Sequence, residues 1–147
     1  MKGMARLDAT TVTQQLADAI APGDKPDEHF ARLCDSWTTA GAGFETVEPI
    51  LRFMEDNASL DFGAPGPLVH FIERFHGEAY EALLLESVAR RPTGHTVWML
   101  NRVINGTKRP AARERLVRAM EQARTHPRAD TGAVETATRC LERLPRE

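Results

Sequence analysis

The sequence predicts an all-α fold of seven or eight short helices, stacked as irregular antiparallel pairs of the α-solenoid type. Apolar residues recur at spacings of three and four along nearly every segment, the period of a half-buried helix. Strand signals are poor: no β-branched run alternates, and Asn105-Gly106 is not flanked by two strands. Gly and Pro fall mostly between the periodic segments or in their first turns, which divides the chain into short rods. No internal repeat of fixed period is present, so the stack is irregular.

The elements follow in order. Asp8 to Ala21 is a weak first helix, ended by Pro22-Gly23. Pro26 sits where a first-turn proline is tolerated and opens a helix to Thr39, with Phe30, Leu33, Cys34 and Trp37 on one stripe. Gly41 and Gly43 break it, and Thr46 is read as the N-cap of a third helix reaching Asn57. That helix carries Val47, Ile50, Leu51 and Met54 inward. Ser59 to Gly66 is a Gly/Pro-rich loop, after which Pro67 starts a short helix to Phe75. Gly77 separates it from Glu78 to Arg91, with Tyr80, Leu83, Leu84 and Val88 inward. Pro92 stops that helix, Thr93 caps the next, and Asn105-Gly106 is its expected stop. Lys108 to His126 is long and Arg-rich, and Asp130 or Thr131 starts the last helix.

At 147 residues, 41% hydrophobic and 27% charged, the chain reads as a single domain over residues 1–147. Such a domain buries roughly 68–70% of its unfolded surface. No apolar run approaches the ~20 residues that span a bilayer, so no membrane association is expected. The first twenty residues contain no continuous apolar stretch of the secretory type, and a cytoplasmic location follows as an expectation. Cys34 and Cys140 lack any C-x-x-C spacing and read as reduced, buried thiols.

The near-neutral net charge of −2 hides a strong asymmetry. Residues 1–89 hold 15 acidic and 6 basic side chains, whereas residues 90–147 hold 6 acidic and 13 basic. Fields of this kind steer partners rather than specify folds. No motif for catalysis competes with that reading. His70 and His76 are six residues apart, the wrong spacing for a helical zinc pair even with Glu73 between them. Ser36, Ser59 and Ser87 lack a nucleophile elbow, and neither a phosphate-binding loop nor G-x-G-x-x-G occurs. The expectation is a binding protein that is not an enzyme and uses neither cofactor nor metal.

The most distinctive segment runs from Asp61 to Gly106. Trp98 and Arg102 are spaced i,i+4, so the guanidinium can stack on the indole. Asn101 and Asn105 share a face one turn apart, while Val97, Leu100, Val103 and Ile104 turn toward the core. Trp98, Asn101, Arg102 and Asn105 are accordingly read as a structural motif. The phrases APGPLVHFIE and RRPTGHTVWMLNRVIN resemble segments of the all-helical immunity proteins of bacterial polymorphic toxin systems, including contact-dependent growth inhibition. The resemblance covers about a third of the chain.

That resemblance implies a HEAT-like or helical-bundle antidote, cytoplasmic, that binds a cognate toxin's C-terminal domain, often a nuclease, and occludes its active site. The charge pattern converges with it, since an acidic surface mimics the polyanion a nuclease grips. The expected toxin-binding residues are Glu45, Glu48, Glu55, Asp56, Asp61, Glu78 and Glu81, with Glu86 beside them and Phe62 as an aromatic anchor. Two rivals remain open: a helical-repeat adaptor, and a nucleic-acid-binding protein using the Arg-rich C-terminal half. The sequence pI of about 6.2 argues against a dedicated nucleic-acid protein.

Overall fold

The structure, a computed structural model, describes residues 8–20, 26–60 and 66–144. Among the described residues the chain is all-helical, with no strands. The eight α-helices are α1 (Ala9–Ile20), α2 (Pro26–Thr39), α3 (Val47–Asp56), α4 (Pro67–Glu73), α5 (Glu78–Arg90), α6 (Gly94–Gly106), α7 (Pro110–Arg124) and α8 (Thr131–Arg143). A single 3₁₀ turn, Phe44–Thr46, leads into α3. No described helix is long and apolar enough to cross a membrane.

Local chemistry sets most of the helix ends. Asp8 accepts from the Thr11 backbone N–H at 2.8 Å, a cap on α1 that also holds its carboxyl below the ordinary value. Pro67 occupies the first turn of α4, where no N–H is needed, and Gly66 precedes it at φ +88°. Gly77 takes φ +136° between α4 and α5, a conformation that side-chain-bearing residues avoid. Asp130 caps α8 by accepting from the Ala133 N–H at 2.7 Å.

Two ends differ from the sequence reading. Thr46 lies inside the 3₁₀ turn, where its hydroxyl donates to the Gly43 carbonyl at 2.8 Å instead of capping α3. The position three residues on is Pro49, which has no N–H for such a cap to receive. Gly106 ends α6 without a positive φ; extended Thr107 stops the helix, its hydroxyl donating to the Val103 carbonyl at 2.7 Å.

The Thr93 cap is a reciprocal box. Thr93 Oγ1 accepts from the Thr96 N–H at 3.1 Å, and Thr96 Oγ1 accepts from the Thr93 N–H at 3.2 Å. Both residues are fully buried, so no water can replace either bond. Thr93→Ala is expected to lower the unfolding free energy by about 1–2 kcal/mol in urea titration, and Thr93→Ser to recover most of it.

The chain forms two compact units. The first lies within Met1–Phe53 and Ser59–Tyr80, the second within Met54–Ala58 and Glu81–Glu147. In the first, α1 packs on α2 and α2 on α4. Trp37 joins these elements: its ring is 5.5 Å from that of Phe71, and its Nε1–H donates to Gln15 Oε1 at 2.8 Å. Phe30 meets Phe53 edge-on at 6.1 Å. Arg74 closes the end of α4, its guanidinium 5.3 Å from the Phe71 ring centre and hydrogen-bonded to Thr38 Oγ1 at 2.9 Å. In the second unit α6, α7 and α8 pack mutually. Val97, Leu100 and Ile104 of α6, Leu116 and Met120 of α7, and Ala133 and Ala137 of α8 are buried. The first turns of α6 and α8 approach closely enough that a Cβ on Gly94 would sit 3.5 Å from the Gly132 carbonyl carbon. Adjacent and next-but-one contacts are those expected of stacked helical hairpins.

Both cysteines are buried with free thiols. Burial pushes the Cys34 thiol up to about 12, with Asp35 adding to the rise and Arg74 opposing it. Its Sγ contacts the Pro67 carbonyl at 3.6 Å. Burial also raises Cys140.

Candidate functional site

The charge asymmetry follows the structural division only in part, because Glu55, Asp56, Glu81 and Glu86 belong to the second unit. By sequence the first unit holds 11 acidic and 6 basic residues, and the second 10 acidic and 13 basic. The predicted acidic residues divide between the units, and they differ sharply in exposure. Glu48 and Glu78 of the first unit and Asp56 of the second are exposed. Glu45 is half-buried and turned back on its own loop, where Oε2 accepts from the Gly43 N–H at 3.1 Å. Glu81 is half-buried in the second unit. Asp61 and Phe62 lie outside the described residues.

Glu55 requires correction as a surface acid. Only 4% of it is exposed, and it belongs to an internal network within the second unit. Its Oε1 accepts from Arg90 Nε at 2.9 Å and its Oε2 from Arg90 Nη2 at 2.6 Å, a bidentate pair. Ser87 Oγ completes the set by donating to Oε2. A carboxylate in an apolar setting needs such partners to remain charged, so the network joins α3 to α5 and withdraws Glu55 from solvent.

On the first unit, Phe44 of the 3₁₀ turn and Glu48 and Arg52 of α3 are exposed. Glu48 and Arg52 form an ion pair at 3.3 Å, with about half of each side chain in water. Phe44, at 38% exposure, is the large apolar side chain left in solvent among the described residues. Its spacing from Val47 and Leu51 would place it on the buried stripe of a continuous α-helix.

On the second unit, α6 separates two chemistries cleanly. Val97, Met99, Leu100 and Ile104 are buried. Trp98 and Asn101 are half-buried, while Arg102 and Asn105 are exposed, so the motif faces outward. The Arg102 guanidinium lies over the Trp98 ring, 4.9 Å from its centre. Val103, expected inward, is only half-buried, and Met99 takes a core position in its stead.

Among the described residues no group of three His, Cys, Asp or Glu side chains is arranged to hold a metal ion. His76 Nδ1 lies 3.3 Å from the Glu73 carbonyl, and His126 Nε2 lies 2.8 Å from the Ala89 carbonyl. The His126 contact ties the α7–α8 link to the last turn of α5. An open depression of about 310 Å³ lies between α1 and α2, lined by Gln15, Asp18, His29 and Arg32 among others. His29 and Arg32, three residues apart on α2, are hydrogen-bonded to each other at 3.3 Å. Comparison with known proteins finds no matching family model, no matching curated protein and no matching solved structure.

Proposed function

We propose that the chain is a cytoplasmic, non-catalytic antidote that binds a bacterial toxin domain stoichiometrically and covers its active site. The observation that carries this reading is the excess of acid on the first unit, with Glu48 and Glu78 exposed and Phe44 projecting one turn before Glu48. An exposed aromatic group beside carboxylates suits a protein partner with a basic surface, such as a nuclease. The class of partner is taken from the resemblance of APGPLVHFIE and RRPTGHTVWMLNRVIN to segments of immunity proteins. Exposed carboxylates contribute mainly to encounter rate, whereas a desolvated aromatic anchor slows dissociation.

Co-expression with a toxin domain encoded immediately upstream tests the proposal. Growth rescue and a one-to-one complex on co-purification are the expected results. The double reversal Glu48→Lys/Glu78→Lys is expected to slow association at least tenfold at low salt, the lower end of electrostatic steering. Absence of both rescue and complex overturns the antidote function, and an unchanged association rate overturns the acidic face.

A further inference from the structure

We propose that Asn105-Gly106 is a site of spontaneous deamidation, paced by a clasp that Thr107 forms at the end of α6, and independent of the antidote reading. The pair closes α6, and both residues are exposed, so water and hydroxide reach them. Neither backbone nor packing calls for a glycine here. Gly106 does not take a positive φ, and a Cβ added to it would meet nothing within 4 Å. What its missing side chain provides is an unobstructed approach to its own nitrogen. The other two asparagines of the chain lack that neighbour: Asn57 precedes Ala58, and Asn101 precedes Arg102 within α6.

In the reaction, hydroxide removes the Gly106 N–H proton and the nitrogen attacks Cγ of Asn105. The N–Cγ bond forms, the Cγ–Nδ2 bond breaks, and ammonia leaves with a proton taken from water. Water then opens the five-membered succinimide at either carbonyl, giving aspartate or isoaspartate, with no change of oxidation state. A helical N–H is held by the carbonyl four residues back, so ring closure waits until the last turn opens. Thr107 resists that opening. Its hydroxyl donates to the Val103 carbonyl at 2.7 Å, and its N–H donates to the Ile104 carbonyl at 3.1 Å. The product is a carboxylate in the last turn of α6, at the negative end of the helix dipole, so conversion weakens the turn that had restrained it. The new charge also falls between Glu86 and Glu114, a stretch with six Arg and Lys and no acid of its own.

Incubation of the intact protein at mildly alkaline pH for a month, followed by peptide mapping by mass spectrometry, tests the site. Conversion of Asn105 to aspartate and isoaspartate is expected, while Asn57 and Asn101 stay intact. The rate should rise roughly tenfold per pH unit, as attack by a deprotonated nitrogen requires. Thr107→Val keeps the shape and loses the hydroxyl; it is expected to speed conversion about fivefold, the worth of one hydrogen bond. In denaturant the parent and Thr107→Val should react equally fast, because the clasp is gone from both. Gly106→Ala places a Cβ beside the nitrogen and raises helix propensity, and should slow conversion about fivefold or more. No conversion of Asn105, or conversion of Asn57 or Asn101 at the same rate, overturns the site. An unchanged rate in Thr107→Val, or an equal acceleration in denaturant, overturns the clasp.

Discussion

Replacing Trp37 by alanine is expected to remove about 3–5 kcal/mol of stability, the range for emptying a buried aromatic position. Trp37 is 1% exposed and contributes in two ways at once. Its ring packs against Phe71 of α4, and its N–H holds Gln15 of α1, so truncation opens a cavity while releasing the α1 anchor. For a domain whose total stability lies near 5–15 kcal/mol, that is a large fraction. Trp37→Phe separates the contributions, because it retains most of the packing and loses the hydrogen bond. About 1 kcal/mol is expected for that bond, since Gln15 is half-buried and water can partly replace the indole. Urea unfolding followed by circular dichroism measures both. A loss below about 1 kcal/mol for the alanine variant would show that this junction carries little of the fold's stability.

The second large effect is asymmetric. Arg90→Ala leaves a carboxylate, its side chain 6% exposed, with Ser87 but without its cation, and is expected to remove about 3–5 kcal/mol. Glu55→Ala takes the carboxylate from a guanidinium side chain of which 26% already reaches solvent, so the loss should be distinctly smaller. The paired replacement Glu55→Leu/Arg90→Met is expected to lie near the parent or above it, since a buried ion pair gains little over apolar packing once both charges are gone. Equal losses for the two single variants would contradict this account of the network.

The helix boundaries were legible because short-range chemistry sets them. Pro67, Gly77, Thr93 and Asp130 each act through the residues one to three positions away. The stacking of Arg102 on Trp98 was legible for the same reason, as both lie on one helix face a turn apart. Glu55 shows where that reach ends. Its partners Ser87 and Arg90 are more than thirty residues away, and no local rule joins them. A signal was nonetheless present, because Glu55 lies four residues beyond Leu51 and eight beyond Val47, on the apolar stripe. A carboxylate at such a position calls for a buried partner. Phe44 is the converse case, a large apolar residue of the 3₁₀ turn that stands in solvent. The Thr46 cap was misread because Pro49 removes the N–H that a capping hydroxyl would receive.

The two thiols give the chain a pair of internal clocks. Cys34 belongs to the first unit and Cys140 to the second, and burial keeps both in the unreactive protonated form. An alkylating reagent therefore meets each sulfur chiefly during the moments when the surrounding helices part. The rate at which Cys34 is trapped reports the opening of α2 from α4, and that of Cys140 the loosening of α8. Each unit thus carries a timer of its own fluctuations, already installed by the sequence and readable without an engineered site.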